Sequence, residues 1–271
     1  MQPHDDTWHR VFLTPTLGDA GRLSYQERGF LKLGPLLTPR GLERMRSECM
    51  KTWFATKRDF DPQGSWLENA LLPNIHHHSE LVRHYYFDGP LVDVATQLIG
   101  PDIKAATSQL TFKLRGNTQS FGWHQDNGYG ELDPYNSISC LTTLDDTDQD
   151  NGCLWVIPGS HQQGQAAYRH TRDDKDNQVS IDMEVNEDDA IPIPLHAGHC
   201  LVINCHLLHM SQGNSALDRD RRILFTRYAD ADAVEVYNHR QPRLGRLLRG
   251  ASRFPEVNQY ESDLETPWRN P

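Results

Sequence analysis

The pattern that most limits the fold of this chain is a series of short apolar runs that begins after residue 102. Glycine and proline separate the runs, and Thr, Leu and Phe nearly alternate with other residues in the first of them. The runs cover residues 103–114, 137–144, 153–157, 199–210 and 223–228. Alternation of this kind is typical of strands. Several short strands with turn residues between them predict a β-sandwich or barrel.

Turn and loop signals lie between these runs. Asp150-Asn151-Gly152 predicts a hairpin turn that joins the second run to the third. Residues 161–190 are polar and charged, which is typical of a loop or flap. The fourth run is expected to form one strand through Leu208, with His209 at its end.

The first 101 residues predict mostly helix. Thr38-Pro39 suits a helix start, and apolar residues recur after it over about 16 residues. Residues 81–99 form a second periodic stretch, which Gly89-Pro90 divides. Residues 29–33 predict a short strand, and residues 244–248 are expected to begin a helix.

We therefore expect a mainly β protein with α-helical flanks. A single domain is predicted over residues 1–271. It would consist of a mostly helical flank at 1–101, a β core at 102–230 and a C-terminal extension at 231–271, with the N-terminal helices packed outside the core. The apolar content of 37% is enough for a sizeable core in a chain of 271 residues.

Charge and composition exclude several classes of function. The 27 basic and 37 acidic residues give a net charge of −10, which disfavours nucleic acid as a partner. No apolar run approaches the length of about 20 residues that crosses a bilayer, and the first ten residues lack the apolar core of a signal peptide. The five cysteines form no CxxC pair. We therefore expect a reduced, cytoplasmic protein that does not act on membranes.

The sharpest chemical signal is Trp123-His124-Gln125-Asp126. In an extended chain His124 and Asp126 point to the same side, so both can reach one ion. His209 is the best candidate for a third ligand. Two histidines and one carboxylate on one face of an octahedron form the facial triad of non-haem Fe(II) oxygenases. His-x-Asp alone is weak evidence, because both residues also favour turns and helix caps.

Other histidines are expected to have different roles. Residues 76–78 are three consecutive histidines, which cannot all face one ion in regular structure. We predict a non-catalytic role for them, at the border of the pocket entrance. On a strand His206 would point away from the face of His209, so it is not expected to be a ligand.

Three segments together resemble the phytanoyl-CoA dioxygenase (PhyH) family over about residues 25 to 230. They are WHQD at 123–126, NGCLWVIPGSH at 151–161 and LLHMSQGN at 207–214, followed by RRIL at 221–224. This resemblance implies a double-stranded β-helix, the jelly-roll or cupin-like barrel. It also implies an enzyme that uses Fe(II), 2-oxoglutarate and O2.

The resemblance assigns roles by position. His124, Asp126 and His209 match the metal triad. Arg221 matches the arginine that binds 2-oxoglutarate, with Arg219 and Arg222 as rivals, and Ser211 matches a hydroxyl that shares the same carboxylate. Gln109 and Lys113 are predicted either to be polar neighbours of the cosubstrate or to be outward-facing strand residues. The chain departs from the family at Leu141, where a tryptophan is common. Asn127, Tyr129, Trp123 and the polar stretch 161–190 are the predicted substrate contacts.

The sequence thus predicts a dioxygenase that hydroxylates an unactivated C–H bond of a small organic substrate. 2-Oxoglutarate would be decarboxylated to succinate and CO2. An acid at 126 favours hydroxylation over halogenation, because the halogenating relatives carry a small residue there. One alternative is desaturation, cyclisation or epoxidation at the same iron site in natural-product biosynthesis. An alternative of another class is a non-catalytic jelly-roll that binds a metal or ligand.

Overall fold

A computed structural model describes residues 11–57, 69–172 and 178–264. The helices of these residues are α1 (Asp19–Arg28), α2 (Pro39–Lys57), α3 (Glu80–Phe87), α4 (Leu91–Ile99) and α5 (Pro255–Gln259). The strands are β1 (Phe30–Pro35), β2 (Leu71–Pro73), β3 (Ile103–Lys113), β4 (Phe121–His124), β5 (Leu132–Asp133), β6 (Ile138–Thr143), β7 (Leu154–Val156), β8 (Arg169–Arg172), β9 (Gln178–Asp182), β10 (Ile191–Ile193), β11 (His199–Asn204), β12 (His209–Ser211), β13 (Arg221–Asp230), β14 (Val234–Glu235), β15 (Gln241–Pro242) and β16 (Leu247–Arg249).

Two antiparallel sheets form the core. The larger sheet has the order β1-β11-β6-β13-β3-β16, and β2 also pairs with β3. The smaller sheet has the order β10-β7-β12-β4. One buried apolar layer contains side chains from both sheets, including Leu201 and Ile223 of the larger and Val156 and Ile193 of the smaller. The two sheets therefore face each other, as in the predicted double-stranded β-helix.

The helices cover the other face of the larger sheet. Residues of α2, α3 and α4 share a second buried cluster with Cys140, Val202 and Leu224 of the sheet. Their neighbours Leu141, Leu201 and Ile223 belong to the layer between the sheets. This alternation follows from the pleat of the strands. It explains why every residue of β6 is buried and confirms that the helices pack outside the barrel.

Helix boundaries agree with the sequence signals. Thr38 Oγ1 accepts a hydrogen bond from the Gly41 amide, as expected of an N-cap. The division at Gly89-Pro90 separates α3 from α4. Helix α2 is longer than predicted, because its 19 residues continue through Lys57.

Two predictions about how the chain connects the strands were wrong. The run at 199–210 forms two strands, β11 in the larger sheet and β12 in the smaller one. The chain turns between them where Asn204 Oδ1 accepts a hydrogen bond from the His206 amide. His209 therefore begins a strand and does not end one. The turn at 150–152 likewise joins β6 to β7, which lie in different sheets and do not form a hairpin.

Two element predictions were also wrong. The helix expected to begin at 244–248 is absent from the described chain, and β16 pairs there with β3. The backbone of Arg246 accepts a hydrogen bond from the Ala105 amide, which holds the segment extended. The segment 161–190 is not only a loop, because β8 and β9 form a two-stranded sheet within it.

Strand pairing crosses both of the boundaries predicted near residues 102 and 230. The N-terminal flank supplies β1 and β2 to the larger sheet, and the C-terminal extension supplies β16. The single-domain arrangement stays a prediction to which these pairings lend support. None of the helices in the described part of the chain has the length and apolar character needed to cross a membrane.

The layer between the sheets should contribute strongly to stability. Ile203 is fully buried in this layer. We expect Ile203→Ala to lower the free energy of unfolding by about 2–5 kcal/mol, because it removes apolar contacts and leaves a cavity. Leu217→Ala, at a side chain 82% exposed, should change it by less than about 0.5 kcal/mol. Urea denaturation of the metal-free wild type and variants measures both changes in the free energy of unfolding. Equal free energies of unfolding for the two variants would contradict this packing.

Candidate active site

The smaller sheet brings the three predicted metal ligands together. His124 is the last residue of β4, His209 is the first of β12, and the two are paired across the strands. Asp126 opens a short 3-10 helix, Asp126–Tyr129. Asp126 Oδ1 lies 3.9 Å from Nε2 of His124 and 3.6 Å from Nε2 of His209. One atom of each side chain therefore lies within 4.8 Å of the other two.

Backbone contacts orient both imidazoles. Nδ1 of His124 lies 2.7 Å from the Gly122 carbonyl oxygen, and Nδ1 of His209 lies 2.9 Å from that of Leu207. An Nδ1–H that donates to a carbonyl leaves the Nε2 lone pair free to bind a metal. Both Nε2 atoms face Asp126, so the donor set consists of two imidazole nitrogens and one carboxylate.

Electrostatics favour the protonation states that metal binding needs in His124 and Asp126. Burial and the neighbouring His209 lower the pKa of His124 far below its ordinary value, against the opposing effect of Asp126. Burial opposes ionisation of Asp126, but His209, His124 and Arg227 together lower its pKa. Neutral imidazoles and an ionised carboxylate are the forms that bind metal. The residues present therefore fit a divalent iron ion.

The local chain path explains the spacing of the motif. Strand β4 ends at His124, and the next residue, Gln125, also has an extended backbone. The chain between His124 and Asp126 is therefore extended, as predicted. The buried amide of Gln125 donates to the backbone oxygens of Gly164 and His206 at 2.9 and 2.6 Å. These bonds fix the position of Asp126. His206 lies outside the ligand group, in the turn between β11 and β12 and not on the single strand that was expected, and its Nε2 contacts the Asn127 side chain.

A cavity of about 420 Å³ opens beside the triad. The three predicted metal ligands line this cavity. Four other predicted site residues also line it: Gln109, Ser211, Arg221 and Tyr129. Leu141 also lines it, where relatives commonly have tryptophan. The cavity therefore contains the metal ligands and most of the predicted cosubstrate residues.

Arg221 is a buried cation without a carboxylate partner. It lies at the start of β13, and its residue is 2% exposed. Its Nε makes no hydrogen bond, and no carboxylate of the described residues forms an ion pair with it. Burial lowers the pKa of Arg221 to about 10, and it remains charged at neutral pH. A buried charge is costly unless an anion compensates it, so the cavity is built to accept an anion here.

The two rival arginines are already paired. Arg222 donates from Nε and Nη2 to the two oxygens of Asp145, at 2.7 and 2.6 Å. Arg219 donates to Asp148 at 2.7 Å, and its side chain is 41% exposed. Neither lines the cavity beside the triad.

Lys113 acts on Ser211 and does not face the cavity. It stands opposite Arg221 in the β3–β13 ladder, and its Nζ donates to the Ser211 carbonyl and hydroxyl oxygens at 2.9 and 2.8 Å. Burial and the nearby Arg221 lower its pKa to about 5. Lys113 thus positions the Ser211 side chain beside the place where an anion would meet Arg221.

The predicted substrate residues divide into two groups. Tyr129 lines the cavity, and its ring meets that of His124 edge-on at 5.1 Å. Trp123 and Asn127 do not line it. The Trp123 indole donates to Glu187 at 2.8 Å, because adjacent strand residues point to opposite faces. The Asn127 amide oxygen accepts a hydrogen bond from Arg227, so its contact with a substrate would be indirect.

Several cavity residues were missed in the sequence. Arg221, Ile223, Phe225 and Arg227 alternate along β13, and all four line the cavity. The two-residue period of a strand could have identified the last three once Arg221 was assigned. Tyr237 and Arg243 also line it. They come from the chain after β13, where no local pattern points to the site.

The fold and the set of metal-donor side chains together define the class of protein. A double-stranded β-helix that presents two histidines and one carboxylate, with open positions facing a cavity, is the architecture of the non-haem iron oxygenases.

Comparison of the sequence with protein-family profiles identifies the family within this class. The family profile described as "Phytanoyl-CoA dioxygenase (PhyH)" matches residues 25–223. The chain belongs to this family.

Individual relatives cover different parts of the chain. The phytanoyl-CoA dioxygenase of Arabidopsis thaliana is 34% identical over 110 residues, which are 40% of this chain and 38% of that protein. The chain therefore matches about two fifths of that relative's length. The methylphosphonate hydroxylase of Gimesia maris is 26% identical and covers 83% of this chain and 86% of its own.

The fold has solved counterparts. A structure described as a non-heme monooxygenase, ThoJ, in complex with Ni has a TM-score of 0.67 at 23% identity and covers 91% of both chains. A structure described as EctD from S. alaskensis in its apoform has a TM-score of 0.67 at 18% identity and covers 87% of both chains.

Proposed function

We propose that this protein is an Fe(II)- and 2-oxoglutarate-dependent dioxygenase that hydroxylates an unactivated C–H bond of a small organic molecule. The cosubstrate would be decarboxylated to succinate and CO2. The observation that carries the proposal is the buried guanidinium of Arg221, which lies in the same cavity as the triad and forms no ion pair with a carboxylate of the described residues. A dicarboxylate would reach both Arg221 and the metal triad at once.

The roles of the protein residues follow from this arrangement. His124, Asp126 and His209 would hold Fe(II), which supplies the activation of O2 when it is bound. Arg221 would form a two-point pair with the far carboxylate of 2-oxoglutarate. Ser211 would donate its hydroxyl to the same carboxylate, since Lys113 fixes its position. Gln109 lines the cavity and would contact the cosubstrate.

The substrate would occupy the other end of the cavity. Tyr129, Tyr237, Leu71, Arg227 and Arg243 are among the other residues that line the cavity. Arg243 donates to Glu235 at 2.8 Å, which compensates its charge. Arg227 donates to the side-chain oxygens of Asn127 and Ser137, and its charged neighbour is Asp126. A small molecule with an apolar part, held by aromatic rings, fits this wall. The bound substrate would also exclude water from the metal and so protect the protein from stray oxidation.

A second candidate is oxidation at the same iron site without hydroxyl transfer. Solved structures of the same fold include one described as a carbocyclase and one described as an epimerase, both named for nogalamycin biosynthesis. These reactions share the metal and cosubstrate with hydroxylation and differ in the fate of the substrate.

Product mass distinguishes the two candidates. We expect a panel of small organic acids, compatible solutes and phosphonates, incubated with Fe(II), 2-oxoglutarate and O2, to yield a product about 16 Da heavier than its substrate, since hydroxylation inserts one oxygen atom. A loss of about 2 Da would favour desaturation or ring closure, and an unchanged mass with succinate formed would favour epimerisation. Mass spectrometry of matched aerobic and anaerobic samples makes the comparison. Substrate mass that stays unchanged across the panel, with no succinate formed, would contradict both.

A further inference from the structure

A second group of metal-binding side chains lies outside the cavity of the triad. His76 and His77 belong to the 3-10 helix Ile75–His77, and Glu261 follows α5 near the end of the described chain. His77 Nε2 lies 2.6 Å from Glu261 Oε1, and His76 Nε2 lies 3.5 Å from Glu261 Oε2. The three ligand atoms lie within 4.8 Å of one another. The group thus has the spacing of a metal-binding cluster.

The backbone is shaped to bring these groups together. The two imidazoles are consecutive, and their ring centroids are 4.2 Å apart. A strand would direct consecutive side chains to opposite faces, whereas the tight 3-10 turn allows both to face one carboxylate. Glu261 has a φ of 52°, in the left-handed region that a residue with a side chain rarely adopts. This strained position directs the carboxylate at the histidines.

His76 also has the outer contact that is typical of a metal ligand. Its Nδ1 lies 2.6 Å from the Ser108 hydroxyl, and it is 5% exposed. A ligating histidine almost always binds a polar partner through its second nitrogen, which fixes the ring. Arg83 donates to the backbone oxygens of His76 and His77 at 3.0 and 3.3 Å, and so braces the turn itself.

The group faces a second cavity of about 520 Å³. Glu235, Glu256 and Glu261 all line this cavity, so its wall is acidic. The cations near it have other partners: Arg243 is paired with Glu235 at 2.8 Å, and Arg246 donates to the backbone oxygens of Glu261 and Leu264. The cavity therefore has room for water as a fourth ligand and no cation paired with the Glu261 carboxylate among the described residues.

We propose that His76 Nε2, His77 Nε2 and the Glu261 carboxylate form a zinc site that holds the C-terminal segment against the barrel. Two imidazoles and one carboxylate are a donor set of protein zinc sites, in which water takes the fourth position. The ligands are 184 residues apart in the chain, so the ion joins the end of the C-terminal extension to the segment beside β3. His78 takes no part, which agrees with the expectation that three consecutive histidines do not share an ion.

Counting bound zinc tests this site. We expect the chelator-treated, full-length protein to bind two Zn²⁺ ions per chain after equilibration with excess Zn²⁺ and gel filtration, because zinc also fits the triad. His77→Ala and Glu261→Gln should each bind one, as should His124→Ala. The double variant His124→Ala/Glu261→Gln should bind none. Elemental analysis against protein concentration gives the numbers.

The controls separate a zinc site from a simple hydrogen-bonded clamp. His78→Ala is the matched control and should still bind two ions. Ser108→Ala should keep the site but weaken its zinc affinity by about 10- to 100-fold, the usual effect of losing an outer partner. In the His124→Ala background, Zn²⁺ should raise the melting temperature by several degrees, and His77→Ala should abolish this rise. His77 is partly exposed, so its replacement should not prevent folding.

Two results would overturn the proposal. One is a wild-type protein that binds a single Zn²⁺ ion, lost in His124→Ala. The other is His77→Ala and Glu261→Gln variants that still bind two. Either would mean that the two histidines and Glu261 only hydrogen-bond to one another.

Discussion

Replacement of Arg221 by glutamine is expected to weaken 2-oxoglutarate binding by between about 30-fold and a few thousandfold. The guanidinium is buried and has no carboxylate partner within the described part of the chain, so the cosubstrate carboxylate would be its main counter-charge. Truncation of one partner of a buried, hydrogen-bonded charge pair costs about 2–5 kcal/mol, and about 1.4 kcal/mol is a factor of ten in affinity. Isothermal titration of the anaerobic Fe(II) protein with 2-oxoglutarate measures the change.

Arg219→Gln provides the matched control for that experiment. Its side chain is 41% exposed and bonds to Asp148, so its loss should leave 2-oxoglutarate affinity within about twofold, as for a surface substitution. Arg221→Lys should fall between the wild type and the glutamine variant, because it keeps the charge and loses the two-point geometry. Unchanged affinity in Arg221→Gln would show that the carboxylate is bound elsewhere.

Replacement of His209 by alanine should have the largest effect on activity. It would remove one of the three proposed protein ligands, so Fe(II) affinity is expected to fall by at least about 100-fold, the upper range for losing even an outer-shell partner. Succinate formation should fall to background. Iron binding is measured on the anaerobic protein, and circular dichroism checks that the variant is folded.

His206→Ala is the control three residues away. His206 is also buried, at 5% exposure, but it contacts Asn127 and not the triad. Its replacement should retain one equivalent of tightly bound Fe(II). If His209→Ala retains iron as well as His206→Ala does, the assignment of the third ligand is wrong.

The sequence predicted the parts of the fold that depend on local pattern. The periodicity of α2, the break at Gly89-Pro90 and the strand run at 103–114 each reflect neighbours in the chain. Strand β16 was missed because three residues carry too little period to distinguish strand from helix, and its pairing with β3 decides its conformation. The turn between β11 and β12 was missed because the apolar run continues through it.

The site could be predicted where a short motif carries it. His124 and Asp126 are two residues apart, and His209 and Arg221 follow from the family resemblance. Arg227, Tyr237 and Arg243 reach the cavity only through strand pairing and the return of the chain after β13. Glu261 meets His76 and His77 across 184 residues, and no local pattern in the sequence indicates that contact.

The central claim is that one cavity binds Fe(II) and 2-oxoglutarate and uses O2. The most direct test is to incubate the Fe(II) protein with 2-oxoglutarate under ¹⁸O₂ and to analyse the succinate by mass spectrometry. We expect succinate that carries one ¹⁸O atom, in amounts that depend on Fe(II) and disappear in His209→Ala. The proposed function is wrong if no succinate forms above the His209→Ala background, or if the succinate formed contains no ¹⁸O.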